Sequence, residues 1–339
     1  MPREILEITP TGGIFCPVAF DSSRVFHHAR ANYYSIAEIL NQIRLGDDSE
    51  TGFQTDGEIL RWVFGLVCDS GMGRSLAHDA RFDGWAFQLE DSDGETAFAK
   101  IHSAQKCVIL PKFADSNSVF ARSQTAKMRL LLETLRSLRM IWQENTDLKQ
   151  IEGLTARDHI NRERLLQADA DIAALLSAYQ LRETGYNDLW RYLLSSDLSP
   201  LAATLSECLD FDFTPDGIIE ALGFVFPDWF ADDERLSSVD YRTLKKLDAR
   251  DAVPFGLETI GIEDLIQFGT LPDGFSYLEY CASEFITDQF YTRLPDPIIR
   301  AHLGQIVKET TSHITSEIGF RDLNLARKIF PNSTFETIV

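Results

Sequence analysis

Positive charge is what this sequence has least of. Its 339 residues carry 32 Lys and Arg against 52 Asp and Glu, a formal net charge of -20. The average surface therefore repels phosphate backbones and anionic lipids, which excludes a general nucleic-acid or membrane-surface binder. Cysteine is sparse as well: Cys16, Cys68, Cys107, Cys208 and Cys281 are scattered without a CxxC pair. Cys68, Cys107 and Cys208 lie in apolar surroundings typical of buried free thiols, the usage expected in a reducing compartment. No stretch approaches eighteen uninterrupted apolar residues, and Met1 to Phe20 has no basic region leading into an apolar run, so neither membrane insertion nor export has a signal. A cytoplasmic protein is the expectation. Nucleotide and acyl-transfer motifs are missing too, for there is no GxSxG elbow, P-loop or dinucleotide fingerprint, and Gly71-Met72-Gly73 lacks both a third glycine and a preceding strand. None of the seven histidines, His27, His28, His78, His102, His159, His302 and His313, begins an HExxH pair, so a standard zincin is excluded.

What is present is enough apolar content, 44%, to bury one large core or two smaller ones. Residues 1–32 carry little pattern, with Thr-Gly-Gly at 11–13 and prolines at 2, 10 and 17, and read as an irregular arm. Helical spacing begins near Tyr34, where Ile36, Ile39, Leu40 and Ile43 share a face, and resumes over Glu58–Cys68 and Gly73–Phe82. The period then changes. Trp85–Leu89, Thr96–Ile101 and Lys106–Leu110 are strand-length runs, and Asp91-Ser92-Asp93-Gly94 is a hairpin turn signal. After Pro111 the pattern is helical almost to the end. A long helix spans Ser123–Asn145, and further helices are predicted at about 158–184, 186–195, 199–209, 215–230, 234–249, 275–292 and 297–317. The fold class this implies is α+β and mostly helical, with a small antiparallel sheet preceding a long helix pair and a helical C-terminal body.

Three constellations bear on chemistry. The loop Asp47–Glu58 fits several EF-hand positions, with Asp47, Ser49, Thr51, Gly52 and Glu58 at positions one, three, five, six and twelve. Thr51 is a poor fifth ligand, Gln54 replaces the usual apolar eighth residue and there is no partner loop, so an acidic linker with Asp56 as N-cap is the favoured reading. His27-His28 is an adjacent pair, but neighbours on a helix or strand diverge. Asp169 is the third: its i±3 and i±4 neighbours are Leu165, Leu166, Ile172 and Ala173, which places a carboxylate in an apolar stripe. A buried carboxylate requires a partner, because desolvating an unpaired charge costs several kcal/mol. Arg136 and Arg139 on the preceding helix are the natural partners; the alternative is an Asp169 at the stripe's edge and two arginines facing solvent beside Glu133.

Strands followed by Leu131-Leu132-Glu133-Thr134-Leu135-Arg136-Ser137-Leu138-Arg139-Met140-Ile141-Trp142-Gln143, then Gln167-Ala168-Asp169-Ala170-Asp171 and Leu181-Arg182-Glu183-Thr184-Gly185-Tyr186, resemble an uncharacterised bacterial putative-metallopeptidase (zincin-like) domain family, over roughly residues 60–300. The resemblance implies that the long helix supplied HExxH. A register that keeps the Arg-x-x-Trp-Gln ending puts Arg136 and Ser137 where His-Glu would stand and Met140 at the second His, all unfit for zinc catalysis. The acidic motif on the next helix, where such folds place a third ligand, survives as Asp169 and Asp171. Arg136, Ser137, Arg139, Met140, Gln143, Asp169 and Asp171 thus mark the relic of a site rather than a catalytic, cofactor or metal centre. The matching organisation is an N-terminal arm and helix (1–57), a zincin-like α+β core (58–200) and a helical C-terminal region (201–339), the last two forming either separate or continuous domains.

Two functional readings follow from the resemblance. One is a non-catalytic, degenerate zincin-like interaction protein with no cofactor and a protein partner. The other is a metal-dependent, peptidase-like hydrolase holding zinc through unorthodox ligands, for instance Asp169 and Asp171 with His159. Geometry disfavours the second, since ten residues of helix separate His159 from Asp169 by about 15 Å. A third possibility uses the acidic segment 205–299, with 20 acidic and 6 basic side chains, to bind a basic partner. Within it Trp229-Phe230-Ala231-Asp232-Asp233-Glu234 joins aromatic and acidic character, although carboxylates at the positive end of a helix dipole explain Asp232 to Glu234 equally well.

Overall fold

The computed structural model describes residues 33–43, 52–92, 98–145, 151–249 and 255–317, with side chains to 308. Helices α1 (Ile36–Gln42), α2 (Asp56–Asp69) and α3 (Gly71–Phe82) precede most of the sheet, whose strands are β1 (Tyr34–Ser35), β2 (Ala86–Glu90), β3 (Lys100–His102) and β4 (Cys107–Pro111). The strand order is β1-β2-β4-β3: β1 runs antiparallel to β2, β3 antiparallel to β4, and β2 parallel to β4 with Phe87 opposite Val108. The sheet is therefore mixed, where an antiparallel one was expected. The strands flanking the Asp91–Gly94 turn are not neighbours, because β4 lies between them. Burial explains the order. The strongly apolar β4 buries Cys107, Val108, Leu110 and Pro111 and takes a central place, whereas β3 leaves Lys100 and His102 exposed and lies at an edge. Residues 93–97, the arm 1–32 with Cys16 and His27-His28, and Asp47–Thr51 of the calcium-like loop lie outside the described residues.

The end of that loop is described. Thr55, not Asp56, caps α2: its side chain accepts from Glu58 N, and Glu58 accepts in return from Thr55 N at 3.3 Å and Gln54 N at 2.6 Å. This reciprocal arrangement satisfies donors that a lone Asp56 cap would leave open. Asp56 instead meets buried Lys112 at 3.1 Å, and Asp91 meets the same ammonium at 2.5 Å.

After α4 (Asn117–Arg122) come the two long helices, α5 (Gln124–Gln143) and α6 (Ala156–Glu183). Ser123 and Thr155 start them, each side chain accepting the amide three residues on. Alanine lets neighbours approach α6 closely, with Ala168, Ala170, Ala173, Ala174 and Ala178 all buried, so this helix is covered on most sides over its central turns. Covering it are α5, α7 (Asp188–Leu194), α8 (Ser199–Phe211), α9 (Pro215–Trp229) and α10 (Asp233–Asp248). One apolar cluster runs from Ile36 to Phe285.

A continuous helix over 275–292 does not form. Instead α11 (Ile262–Phe268), an irregular turn, α12 (Ala282–Thr287), α13 (Gln289–Thr292) and α14 (Pro297–Glu317) follow. The cause is local and tertiary together: Gly274 takes φ +92°, Asp288 caps α13 by accepting Phe290 N, and Tyr277 is drawn inward to a carboxylate 108 residues away.

Candidate functional site

Two carboxylates two residues apart on α6 point about 200° apart around the helix axis, so one enters the core and the other faces a cleft. Asp169 is the inner one. Arg139 grips it bidentately, Nε donating to Oδ2 at 2.6 Å and Nη2 to Oδ1 at 2.9 Å, and both side chains are essentially without solvent exposure. Gln143, one turn further along α5, donates to Asp169 Oδ2 at 2.6 Å, and the Tyr277 hydroxyl donates to Oδ1 at 2.7 Å. Arg139 Nη2 also reaches the carbonyl of Thr270 at 3.0 Å, and its guanidinium lies 3.9 Å from the Trp142 ring centroid. Burial, and then the Asp169 charge, push the Tyr277 phenol well above its ordinary pKa, so it remains a donor. The pair locks α5, α6 and the turn after α11 together; Arg139 Nη1 is buried with no hydrogen-bond partner.

Asp171 is the outer carboxylate, and Arg136 holds it, Nε donating to Oδ1 at 2.6 Å. Gln167 Nε2 donates to the same oxygen at 3.2 Å and the indole of buried Trp229 to Oδ2 at 2.8 Å. Glu133, 3.5 Å from Arg136 Nη1, accepts the amide of Ala99 at 2.8 Å and so ties the sheet side to α5. Burial opposes the Arg136 charge, yet Asp171 and Glu133 outweigh it and raise the pKa. The solvent-facing alternative for the two arginines is thereby overturned: the stripe around Asp169 is closed by packing from α9 and the 269–278 turn, which α6 alone could not reveal.

Arg136, Glu133 and Asp171 form part of a cleft of about 570 Å³, also lined by Arg129, Tyr192, Asp197 and Arg242. Arg242 lies over the Phe98 ring at 4.3 Å and Arg129 over Phe113 at 4.1 Å. Burial lowers the pKa of Arg242. Phe113 takes φ +56°, a left-handed conformation that costs a non-glycine residue about 1–3 kcal/mol and recurs at ligand clamps.

The remaining positions of the relic do not converge on a metal. The Ser137 hydroxyl is buried and donates to the Glu133 carbonyl at 2.7 Å, and Met140 is half-buried. Zinc requires thiolate, imidazole or carboxylate donors with free lone pairs. Here Asp169 accepts four hydrogen bonds and Asp171 three, from groups that a cation would have to displace. Among the described residues no group of three or more His, Cys, Asp and Glu side chains could hold a metal ion. The residues present do not fit zinc. His159 is elsewhere, lining a separate cavity of about 600 Å³ with Phe255 at 5.7 Å, and that cavity includes neither Asp169 nor Asp171.

Sequence reasoning missed a second buried pair. Arg164 donates to Asp240 from Nε at 2.6 Å and from Nη2 at 2.5 Å, with neither side chain exposed, and its Nη1 reaches the carbonyl of Arg293 at 2.8 Å. A signal existed, because Asp240 sits among Leu236, Val239, Leu244 and Leu247 as Asp169 does in its own stripe. Trp229 is buried against Asp171 rather than offered to a partner, and Asp232 caps α10 by accepting the amides of Glu234 and Arg235, the helix-terminus reading of that acidic run.

No curated protein and no solved structure matches the chain. A family model does, over residues 112–278, the span from the end of the sheet to the turn that carries Tyr277; its description is Putative metallopeptidase family (DUF6782). Both arginine–aspartate pairs between α5 and α6, and the Arg164–Asp240 pair, fall inside that span, and over it the chain is similar to this putative metallopeptidase family, with the HExxH motif absent.

Proposed function

We propose that the chain is a non-catalytic, zincin-like binding protein in which a guanidinium stands where a dication would have neutralised the acidic motif, and that the cleft over Arg136 and Asp171 receives a protein partner. The observation that carries this reading is the engagement of Asp171: an arginine and two further donors at 2.6 to 3.2 Å hold both oxygens of the carboxylate that faces the cleft. Ser137, at the position of the HExxH glutamate, donates its own proton to a backbone carbonyl, and Glu133 in the same cleft is held by Arg136 and by the amide of Ala99. The cleft retains the size of a ligand site. The test is turnover of fluorescent casein by the purified chain with and without added zinc. No hydrolysis in either case is expected; activity that appears with zinc and disappears with chelator would overturn the reading.

A further inference from the structure

Between Arg191 and Arg235 the chain contains no Lys, Arg or His, and over the same stretch ten Asp and Glu occur. The stretch folds into α8 and α9, which pack against each other. Along α9 the side chains at four-residue intervals, Asp216, Glu220, Phe224 and Asp228, are all exposed, and α8 exposes Ala203, Glu207, Asp210 and Phe211. The two rows form one face. The Thr204 hydroxyl donates to Asp228 Oδ2 at 3.3 Å across the helix pair, and Glu207, Glu220 and Asp228 all act electrostatically on the same thiol, Cys208, that lies between them. Among the described residues the only ion pair on this face is Arg182 with Asp210.

Two independent features distinguish the face from an ordinary solvated one. Apart from Asp210, which Arg182 holds, charge of one sign is left uncompensated over two helices, although mixing signs would lower the self-repulsion of a chain that is already acidic. Large aromatic side chains also stand in solvent within it: Phe211 is 95% exposed and Phe224 57%. Aromatic groups ringed by charge are the composition of a protein interface rather than of a free surface. The sign of the charge selects the occupant, since a second copy of this chain would bring its own carboxylates against these.

We infer that the outer face of the α8–α9 hairpin docks a basic amphipathic segment of a partner protein, whose Lys and Arg meet Glu207, Glu220 and Asp228 while an apolar side chain meets Phe211 or Phe224. The site is separate from the cleft over Arg136 and stands whether or not that cleft binds anything. Electrostatic attraction would govern encounter and the aromatic contacts would supply the part of the affinity that salt does not screen.

The probe is a fluorescein-labelled helical peptide of Lys and Leu, compared with its Lys/Gln and Glu/Leu counterparts, with binding read by fluorescence anisotropy on the full chain. The Lys/Leu peptide is expected to bind most tightly and the Glu/Leu peptide not at all. Replacing Glu207→Lys and Glu220→Lys together should weaken Lys/Leu binding about tenfold, equivalent to about 1.4 kcal/mol. Phe211→Ser with Phe224→Ser should weaken the Lys/Leu peptide and leave the Lys/Gln peptide unchanged. Asp79→Lys, equally a charge reversal at an exposed residue but on α3, should leave both unchanged. Thermal melts of all variants confirm folding. Three results overturn the inference: no binding to the native chain, weakening by Asp79→Lys that is about half that of the double variant on a logarithmic scale, in proportion to its charge change of +2 against +4, which would reduce the effect to net charge, or a dimer of the native chain that the phenylalanine replacements dissolve, which would assign the face to a second copy.

Discussion

Replacing Asp169 by Ala should be among the most damaging single changes in this protein. The substitution removes the acceptor of four hydrogen bonds and leaves Arg139, whose side chain has no solvent exposure, with its charge uncompensated. Breaking one side of such a pair costs about 3–5 kcal/mol, because the remaining charge keeps its desolvation penalty and loses its attraction. Gln143 still has the Leu166 carbonyl at 3.0 Å, so it is not orphaned, whereas the Tyr277 hydroxyl is. Taking about 4 kcal/mol, and about 2 °C per kcal/mol for a chain of this size, the melting temperature should fall by about 8 °C. The companion experiment separates charge from packing. Arg139→Leu combined with Asp169→Leu removes both charges and should recover at least half of the loss, since well-packed apolar residues often replace a buried pair at little cost. Melts followed by circular dichroism at neutral pH would read both. An Asp169→Ala protein melting within about 1 °C of the native chain would refute the buried-pair reasoning, as would a double variant no more stable than the single one.

Four further outcomes are expected. Trp229→Phe keeps the aromatic volume but deletes the donor to Asp171, and should cost about 1–2 kcal/mol in urea denaturation, against almost nothing if the indole NH were idle. Arg164→Met should cost about as much as Asp169→Ala, because it strands Asp240 in the core; a change under about 1 kcal/mol would contradict the assignment. Cys281 is pushed up to about 11, first by burial and then by Glu284. Its folded pKa is raised above an unfolded value of about 8.5, so the associated stability is complete below the unfolded value and is lost as pH rises through about 11. Mass-spectrometric alkylation by iodoacetamide should accordingly find Cys281 slow at neutral pH and fast only near the upper value; rapid labelling at neutral pH would contradict the shift. Calcium titrated into the chain to about 1 mM should produce no heat, because Glu58, the twelfth-position ligand of the loop, is engaged with the amides of Gln54 and Thr55; a calcium-dependent isotherm would restore the metal-loop reading.

How much of this was legible in sequence depended on whether the determining contact was local. Helices α5 and α6 could be read because period and caps lie within each segment, and Asp169 stood out because all four of its helical neighbours are apolar. Which arginine holds which aspartate could not be read. Arg136 and Arg139 are about 60° apart on their helix, and the rotation that sends one to Asp171 and the other to Asp169 is fixed by packing against Trp229 and Tyr277. The parallel pairing of β2 with β4 was hidden for a similar reason. A turn signal at Asp91–Gly94 describes only the chain's local bend, whereas the place of β4 between its neighbours follows from burying its apolar residues against α5. Residues 275–292 read as helix by composition, yet the side chain of Tyr277 is more stable donating to a buried carboxylate than continuing a helical turn. Arg164 and Asp240 show the converse, a pair whose stripe signal was present in α10 and passed unnoticed beside the more conspicuous Asp169.

The proposal that a guanidinium stands where a metal would otherwise neutralise the acidic motif is tested most directly by inductively coupled plasma mass spectrometry on protein purified without chelator or a metal-affinity tag. No stoichiometric transition metal is the result expected from Arg136 and the three donors that hold Asp171. One zinc or other transition metal per chain, lost on Asp171→Ala, would contradict the account and place a cation where the arginine has been put.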